Sequence, residues 1–258
     1  MEFEAIIVER KDHIGIITLN RPEQLNTFTT TLAGELDHAL ADMDKDREIR
    51  VIIIKGNGRA FSAGIDVSVL PMKNILEYRQ WIRDMEKSFL TIAHMVTPVI
   101  VAAHGVAAAN GAGLVAAADL AIVAEGTRIG TTAINVGLFC MGPAVPLSRS
   151  LGRKRALEML LTGDFIDAER ASSIGLVNKV VPQDKLMDEA LELATKLASK
   201  SPIALQMGKQ AFYTMSDMEF EKALEYSDEM FAELCTTEDA LEGVNAFREK
   251  REPVWKLK

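Results

Sequence analysis

The sequence predicts an α/β protein built on a largely parallel β-sheet, and three features support this fold class. Up to Gly126, short apolar runs alternate with longer amphipathic runs, as strands and helices do in a parallel sheet. After Gly142 the runs are helical in period, with Pro and Gly between them. The 258 residues, 48% hydrophobic and 26% charged, have the ordinary balance of a soluble protein that can bury a substantial core.

The N-terminal elements follow from residue spacing. The segments AIIVER and IGIITLN are predicted to form two strands joined by a tight turn at Lys11–His13. A helix is predicted over Thr29–Asp44, where leucines recur at four-residue spacing. The apolar run VIIIKG is typical of a strand that is covered on both faces.

The next elements surround two glycine-rich segments. The first of these, GNGRAFSAGID, precedes a long helix predicted from about Lys73 to His94. A buried strand in TPVIVAAHG, a helix rich in Ala and Gly, and a strand in DLAIVAEG follow. The remaining segments are predicted to be mainly helical, and Pro202 after Ser201 suits the first turn of one of these helices.

Composition excludes several functional classes. With 37 acidic and 29 basic residues, the formal charge is −8, whereas a nucleic-acid-binding protein normally has a basic face. Two cysteines are too few for a disulfide scaffold, which favours a reducing, cytoplasmic location. The apolar stretch Pro98–Val123 is interrupted by His104, Asn110 and Asp119, so we expect a buried core segment and no membrane span.

Two glycine-rich turns carry the candidate chemistry. One lies in VIIIKGNGRAFSAGID and the other in TPVIVAAHGVAAANGAG, and each follows an apolar strand. Small residues let a ligand approach the backbone, and the first N–H groups of a helix are free donors. Two such donors converging on one oxygen would stabilise an enolate or a tetrahedral oxyanion. The alternative is that both turns are only tight connections.

The same segments resemble the crotonase (enoyl-CoA hydratase/isomerase) superfamily. The similarity runs in order through LNRPEQLNTF, the two glycine-rich segments, RALEMLLTGDFIDAERASSIGLVNKVVP and AFREKREPVW. It covers nearly the whole chain. It implies a spiral of repeated ββα units over residues 1–195, a helical trimerisation region over residues 196–258, and a homotrimer or hexamer.

The resemblance also implies a site for an acyl-CoA thioester. By position, the backbone N–H groups of Ala63 and Asn110 would hold the thioester oxygen, and Asn110 replaces the middle glycine of the family's GGG turn. Coenzyme A would enter as part of the substrate, with no bound cofactor and no metal. The implied coenzyme A contacts are Arg59, Ala60, Phe61, Ile65, Asp66, Phe247 and Lys250. For the last two the alternative is a core Phe247 and a solvated Lys250.

Both family glutamates are replaced in this chain. Typical hydratases use two glutamates to activate water and protonate the α-carbon. The matching positions hold Gly113 and Ala133, and residues 138–141, where other members place an aspartate, carry no carboxylate. We therefore expect this chain to retain thioester binding and enolate stabilisation but to lose ordinary hydratase activity. We expect no glutamate near the acyl carbons.

Several polar residues are candidates to replace the two glutamates. Asp66 is an acid–base candidate, with capping or positioning as the alternative. Asn135 could orient a water but cannot take a proton, and Cys140 is expected to be a buried structural thiol. His104, Asp119 and Arg21 are expected to satisfy or anchor nearby backbone.

The sequence thus favours an enzyme of enoyl-CoA hydratase/isomerase type with atypical acid–base groups. The alternative is a non-catalytic acyl-CoA binder, motivated by Gly113 and Ala133. Serine peptidases of the caseinolytic type share the implied fold, but Ser62 lies in FSAG rather than G-x-S-x-G. An RNA-binding member of the superfamily fits poorly with the acidic charge.

Overall fold

A computed structural model describes residues 3–66 and 74–256. It confirms the α/β class, with nine strands and ten α-helices among these residues. The strands are β1 Ile6–Lys11, β2 Ile14–Leu19, β3 Val51–Gly56, β4 Val99–Ala103, β5 Val106–Ala108, β6 Leu120–Ala124, β7 Arg128–Gly130, β8 Phe165–Asp167 and β9 Lys179–Val181. The helices are α1 Thr30–Lys45, α2 Ile75–His94, α3 Asn110–Ala117, α4 Met141–Leu151, α5 Arg153–Thr162, α6 Ala168–Ser173, α7 Leu186–Ala198, α8 Pro202–Ser216, α9 Phe220–Cys235 and α10 Glu238–Glu249.

The strands form two sheets. The larger has the order β1-β2-β3-β4-β6-β9, and the smaller has the order β5-β7-β8. Only β1 is antiparallel to its neighbour in the larger sheet, which confirms the largely parallel arrangement. The inner strands are buried on both faces, with Val51, Ile53 and Ile100 on the side of α7 and Ile52, Ile54 and Val101 in the larger core cluster, as their continuous apolar runs require.

The helix ends follow local hydrogen bonding. Helix α1 begins after Thr29, whose side chain accepts from the Leu32 amide as an N-cap. Helix α2 begins after Asn74, which forms a reciprocal capping box with Glu77; the predicted start at Lys73 lies outside the described residues. Helix α8 begins with Pro202 after a Ser201 cap, as predicted.

The C-terminal region is helical, as predicted. Helix α7 packs against the larger sheet and continues past residue 195 to Ala198, so the predicted boundary falls within this helix. In contrast, α9 buries none of its residues in the single chain. No helix among the described residues has the length and apolar character needed to cross a bilayer.

Candidate active site

The two glycine-rich turns pack directly against each other. Ser62 and Ala107 form a parallel bridge between the turns. A Cβ on Gly64 would lie 2.7 Å from the Ala109 Cβ, and a Cβ on Gly111 would lie 2.6 Å from the Ser62 carbonyl oxygen. Glycine is required at both positions because the two backbones leave no room for a side chain.

The structure corrects the predicted donor in the first turn. The Ala63 amide donates to the Leu25 carbonyl oxygen at 3.0 Å, so it is already used inside the protein. Ile65 forms a parallel bridge with Phe28, in which the Phe28 amide donates to the Gly64 oxygen and the Asp66 amide donates to the Phe28 oxygen. The Ile65 amide therefore points away from this pairing, and within the described residues it donates to no acceptor.

In the second turn, the first amides of α3 donate to no acceptor in the part of the chain that the structure describes. Asn110 is the first residue of this helix, and Gly113 is the first to donate to an oxygen before it, that of Ala109. The Asn110 side chain is buried and donates to the Met85 carbonyl oxygen at 3.2 Å. The Asn110 side chain therefore connects α3 to α2 and does not occupy the space next to the Asn110 backbone amide.

The backbone is strained at the residue before Asn110. Ala109 has φ 46° and ψ −111°, a conformation that costs a residue with a Cβ about 1–3 kcal/mol. Its amide donates to the Gly130 oxygen at 2.8 Å, which helps to hold this turn. The strain fixes the direction of the first amides of α3.

Phe89 occupies the space beside the first lost-glutamate position. A Cβ on Gly113 would lie 2.7 Å from the Phe89 Cζ and 3.1 Å from the Pro143 Cβ. Phe89 belongs to α2 and is only 9% exposed. A side chain at residue 113 therefore cannot enter this space unless the ring moves.

The second lost-glutamate position adjoins a buried thiol. Ala133 is partly buried against the main core and has a backbone hydrogen bond with Cys140. Burial raises the pKa of the Cys140 thiol, and the nearby Glu86 carboxylate raises it further. Cys140 is 5% exposed, which confirms the prediction of a buried thiol, and a raised thiol pKa argues against a nucleophile.

Sequence reasoning missed one carboxylate near these positions. Glu86 on α2 lies against Gly142, in the space that a side chain at residue 142 would take. It is half-buried, and burial raises its pKa, although the Gly142 amide offsets part of this rise. The available signal was its position in α2, four residues after Ile82 and three before Phe89, which places it on the same side of the helix as these two apolar residues.

Comparisons with known proteins identify the family. The enoyl-CoA hydratase/isomerase family model matches residues 9–258. The chain belongs to the enoyl-CoA hydratase/isomerase family. A protein named probable enoyl-CoA hydratase from Mycobacterium bovis is 35% identical over 98% of each chain. The crystal structure of an enoyl-CoA hydratase from Mycobacterium smegmatis has a TM-score of 0.94 and 36% identity, covering 98% of this chain and 99% of that one. Human enoyl coenzyme A hydratase domain-containing protein 3 has a TM-score of 0.93 and 33% identity, with coverage of 98% and 100%.

In this family member, the predicted coenzyme A contacts of the first turn differ in accessibility. Arg59 is exposed, and Ile65 and Asp66 are partly exposed. Ala60 is 2% exposed and Phe61 is fully buried, so these two could meet a ligand only through their backbone. Asp66 lies 4.0 Å from Arg21, measured from Oδ2 to Nη2.

The predicted contacts on α10 are both at the surface. Phe247 is 85% exposed, so the alternative that it belongs to the core is wrong for the single chain. Lys250 is exposed and ends α10 with φ 56°. Both side chains are therefore available to a ligand or to another subunit.

The remaining polar residues that the sequence singles out form hydrogen bonds within the protein. His104 Nε2 contacts the Gly58 oxygen at 2.8 Å, and Arg21 Nη1 donates to the Thr27 oxygen at 2.6 Å. Asp119 accepts from the Val99 amide at 2.7 Å, as expected of a backbone cap. Ser62 is fully buried and donates to the Asn26 oxygen, and Asn135 donates to the Gly163 oxygen at 3.3 Å.

Proposed function

We propose that this protein binds an acyl-CoA thioester through two backbone amides and stabilises the enolate formed from it. Membership of the enoyl-CoA hydratase/isomerase family supports the acyl-CoA substrate. The observation that carries the proposal is the contact between the two glycine turns, where the Ile65 and Asn110 amides donate to no acceptor among the described residues. These replace the pair Ala63 and Asn110 as the proposed oxyanion donors.

The energetics favour binding to a developing charge. Each donor to an oxyanion is worth about 3–4 kcal/mol in the transition state. A hydrogen bond to the neutral carbonyl contributes only about 0.5–1.5 kcal/mol. The same two amides therefore bind the thioester modestly and its enolate strongly, which is the differential that catalysis requires.

Ordinary hydration fits this site poorly. Gly113 and Ala133 carry no acid–base group, and Phe89 closes the space beside Gly113. The proposed activity is therefore enolate chemistry with atypical proton-transfer groups; Asp66 is the candidate that the sequence gives, and Glu86 is the one that the structure adds. The remaining coenzyme A contacts are proposed at Arg59, Phe247 and Lys250, together with the backbone of residues 60–61.

Binding of matched ligands tests the role of the amides. Butyryl-CoA and S-butyl-CoA differ in the carbonyl oxygen, so calorimetry on both isolates its contacts. Two hydrogen bonds of about 0.5–1.5 kcal/mol each predict that the thioester binds about 5- to 150-fold more tightly. The infrared carbonyl band of bound butyryl-CoA should also shift to lower frequency.

Two glycine variants give a matched control for this test. Gly64→Ala would push the turns apart, because its Cβ would lie 2.7 Å from the Ala109 Cβ at φ 94°. Gly58→Ala carries similar strain at φ 81°, with a Cβ 2.7 Å from the Pro22 Cβ, away from both amides. The first variant should reduce the thioester preference and the second should keep it. Equal affinity of the wild-type protein for both ligands would contradict the proposal.

A substrate panel separates an enzyme from a binder. Turnover of any enoyl- or dienoyl-CoA supports the enzyme. Tight binding without turnover across the panel favours the non-catalytic alternative, which Gly113 and Ala133 motivate.

A further inference from the structure

We propose that Glu86 is the catalytic carboxylate of this protein and moves a proton at the carbon beside the thioester carbonyl. This inference rests on the proposed function above, because the enolate formed by that proton transfer needs the Ile65 and Asn110 amides. It assigns to α2 a role that the resemblance places at residues 113 and 133, and it replaces the expectation from the sequence that no glutamate lies near the acyl carbons.

Contacts place Glu86 between the two positions that lack a glutamate. Its carboxylate lies against Gly142, and the next residue, Pro143, is the neighbour that a Cβ on Gly113 would meet at 3.1 Å. On the other side, Glu86 acts electrostatically on Cys140, whose thiol contacts the backbone of Ala133. One carboxylate thus reaches the region that two glutamates would otherwise share.

Helix α2 also contacts the second glycine-rich turn, which carries the Asn110 amide. The Met85 carbonyl oxygen, one residue before Glu86, accepts from the buried Asn110 side chain at 3.2 Å. Phe89, one turn after Glu86, fills the space beside Gly113. The two contacts bracket Glu86 and fix its position relative to the amides of α3. In the proposed site the carboxylate therefore comes from α2, while α3 has Gly113 packed against Phe89.

The half-buried position of the Glu86 carboxylate is not explained by an ion pair. Among the described residues, no lysine, arginine or histidine forms an ion pair with Glu86, and burial is the main cause of its raised pKa. A half-buried carboxylate without a cation costs stability, and such groups with raised pKa values are typical of general acids and bases. Glu86 also lines a groove with Phe89, Val115 and Gly142, which gives the carboxylate access to water; the described lining of this groove does not include Ile65 or Asn110.

A single carboxylate is sufficient for a double-bond shift. Glu86 takes a proton from C2 of a 3-enoyl thioester, and the C–H electron pair forms a C1–C2 double bond while the carbonyl pair moves to the oxygen held by the amides. The same carboxyl group returns the proton to C4. The C3–C4 electron pair takes that proton, the C1–C2 pair becomes the C2–C3 double bond, and the carbonyl reforms. The substrate and product have the same atoms and electrons, and the carboxylate is regenerated. No second acid or co-reactant is therefore needed.

Deuterium exchange tests the first half of this step directly. The protein is incubated with butyryl-CoA in D₂O, and label at C2 is followed by mass spectrometry; isomerisation of trans-3-hexenoyl-CoA is followed by the absorbance of the conjugated product. Glu86→Gln keeps the shape and an acceptor oxygen for the Gly142 amide. We expect it to reduce both rates about 10²- to 10⁴-fold, the usual loss for one acid–base group, without weakening binding of butyryl-CoA.

Asp84→Asn is the matched control. Asp84 is an exposed carboxylate on the same helix, hydrogen-bonded to Gln80, so its replacement removes the same charge and should leave both rates unchanged. The wild-type rate should also fall as the pH decreases through a pKa above that of an ordinary carboxyl group, because Glu86 must be ionised to take the proton. Cys140 is the titratable group that faces Glu86 from the segment before α4, so Cys140→Ser should retain this pH dependence.

The outcomes separate this inference from the proposed function. If Glu86→Gln exchanges deuterium as fast as the wild-type protein, the role of Glu86 is overturned while thioester binding stands. If the wild-type protein binds butyryl-CoA and catalyses neither reaction, Glu86 is likewise overturned and a binding protein remains. If butyryl-CoA binds no better than S-butyl-CoA, the proposed function is contradicted, and the inference on Glu86, which rests on it, is contradicted as well.

Discussion

The environment of Gly113 decides what a single residue can do at this site. Its missing side chain is not an empty space, because the Phe89 ring lies where a Cβ would need to be. Close-packed interiors transmit such substitutions to their neighbours. The absence of a side chain at residue 113 and the position of the Phe89 ring therefore depend on each other.

Restoring the glutamate should fail for this reason. Gly113→Glu is expected to lower the free energy of unfolding by about 1–3 kcal/mol through overpacking and to produce no hydratase activity. Denaturant unfolding and an enoyl-CoA hydration assay measure the two effects. Gly34→Glu is the control, because Gly34 is exposed in α1 and its Cβ would meet nothing within 4 Å.

A double variant checks the cause. The double variant Gly113→Glu/Phe89→Ala should lose less free energy of unfolding than the two single variants lose together, because the smaller residue makes room for the new side chain. If Gly113→Glu proves as stable as Gly34→Glu, the packing argument is wrong.

At the scale of elements, a buried polar cluster attaches α8 to the strands of the larger sheet. Lys209 Nζ donates to Asp119 Oδ2 at 2.7 Å and to the Thr97 oxygen at 3.0 Å. The Tyr213 hydroxyl donates to Asp119 Oδ1 at 2.9 Å. The two side chains of the ion pair are 6% and 16% exposed, and burial lowers the pKa of Lys209. The start of the C-terminal region is thus held by a desolvated charge pair.

Removing the lysine should destabilise this attachment strongly. Lys209→Met leaves Asp119 buried without its cation, and breaking such a pair costs about 3–5 kcal/mol. Thermal or denaturant unfolding measures the loss. Lys222→Met, at an exposed position on α9, should change stability by less than about 0.5 kcal/mol. Similar losses in the two variants would mean that the cluster contributes nothing specific.

At the scale of the molecule, the last helices expose more apolar surface than a single chain should. Phe220 is 80% exposed, Phe231 67% and Phe247 85%, and α9 buries none of its residues. Contiguous exposed apolar residues of this kind normally mark an interface. The proposed homotrimer or hexamer would cover them.

Assembly can be measured directly. Light scattering should give a mass of about three times 28.3 kDa, or twice that value for a hexamer. Phe220→Asp combined with Phe231→Asp should shift the protein towards smaller species, because charge in an apolar interface is costly. Ile7→Asp, on the edge strand β1 where Ile7 is 42% exposed, should leave the mass unchanged. A wild-type monomer at working concentration would contradict the proposal.

The sequence by itself determined the class of fold, the order of its elements and the family. Apolar runs such as residues 51–54 are typical of strands covered on both faces, and the cap residues Thr29, Asn74 and Ser201 set the helix starts. These features are local, so they can be predicted from neighbouring residues. The two glycine turns were predicted as a site for the same reason.

Only the tertiary structure decided which atoms face that site. The unused amide is that of Ile65 and not that of Ala63, because the bridge to Phe28 sets which N–H groups point outwards. Glu86 lies 27 positions before Gly113 in the numbering, and no local pattern brings the two together. Packing of α2 against α3 and α4 does so, since a side chain's partners depend on how distant elements meet and not on its neighbours in the chain.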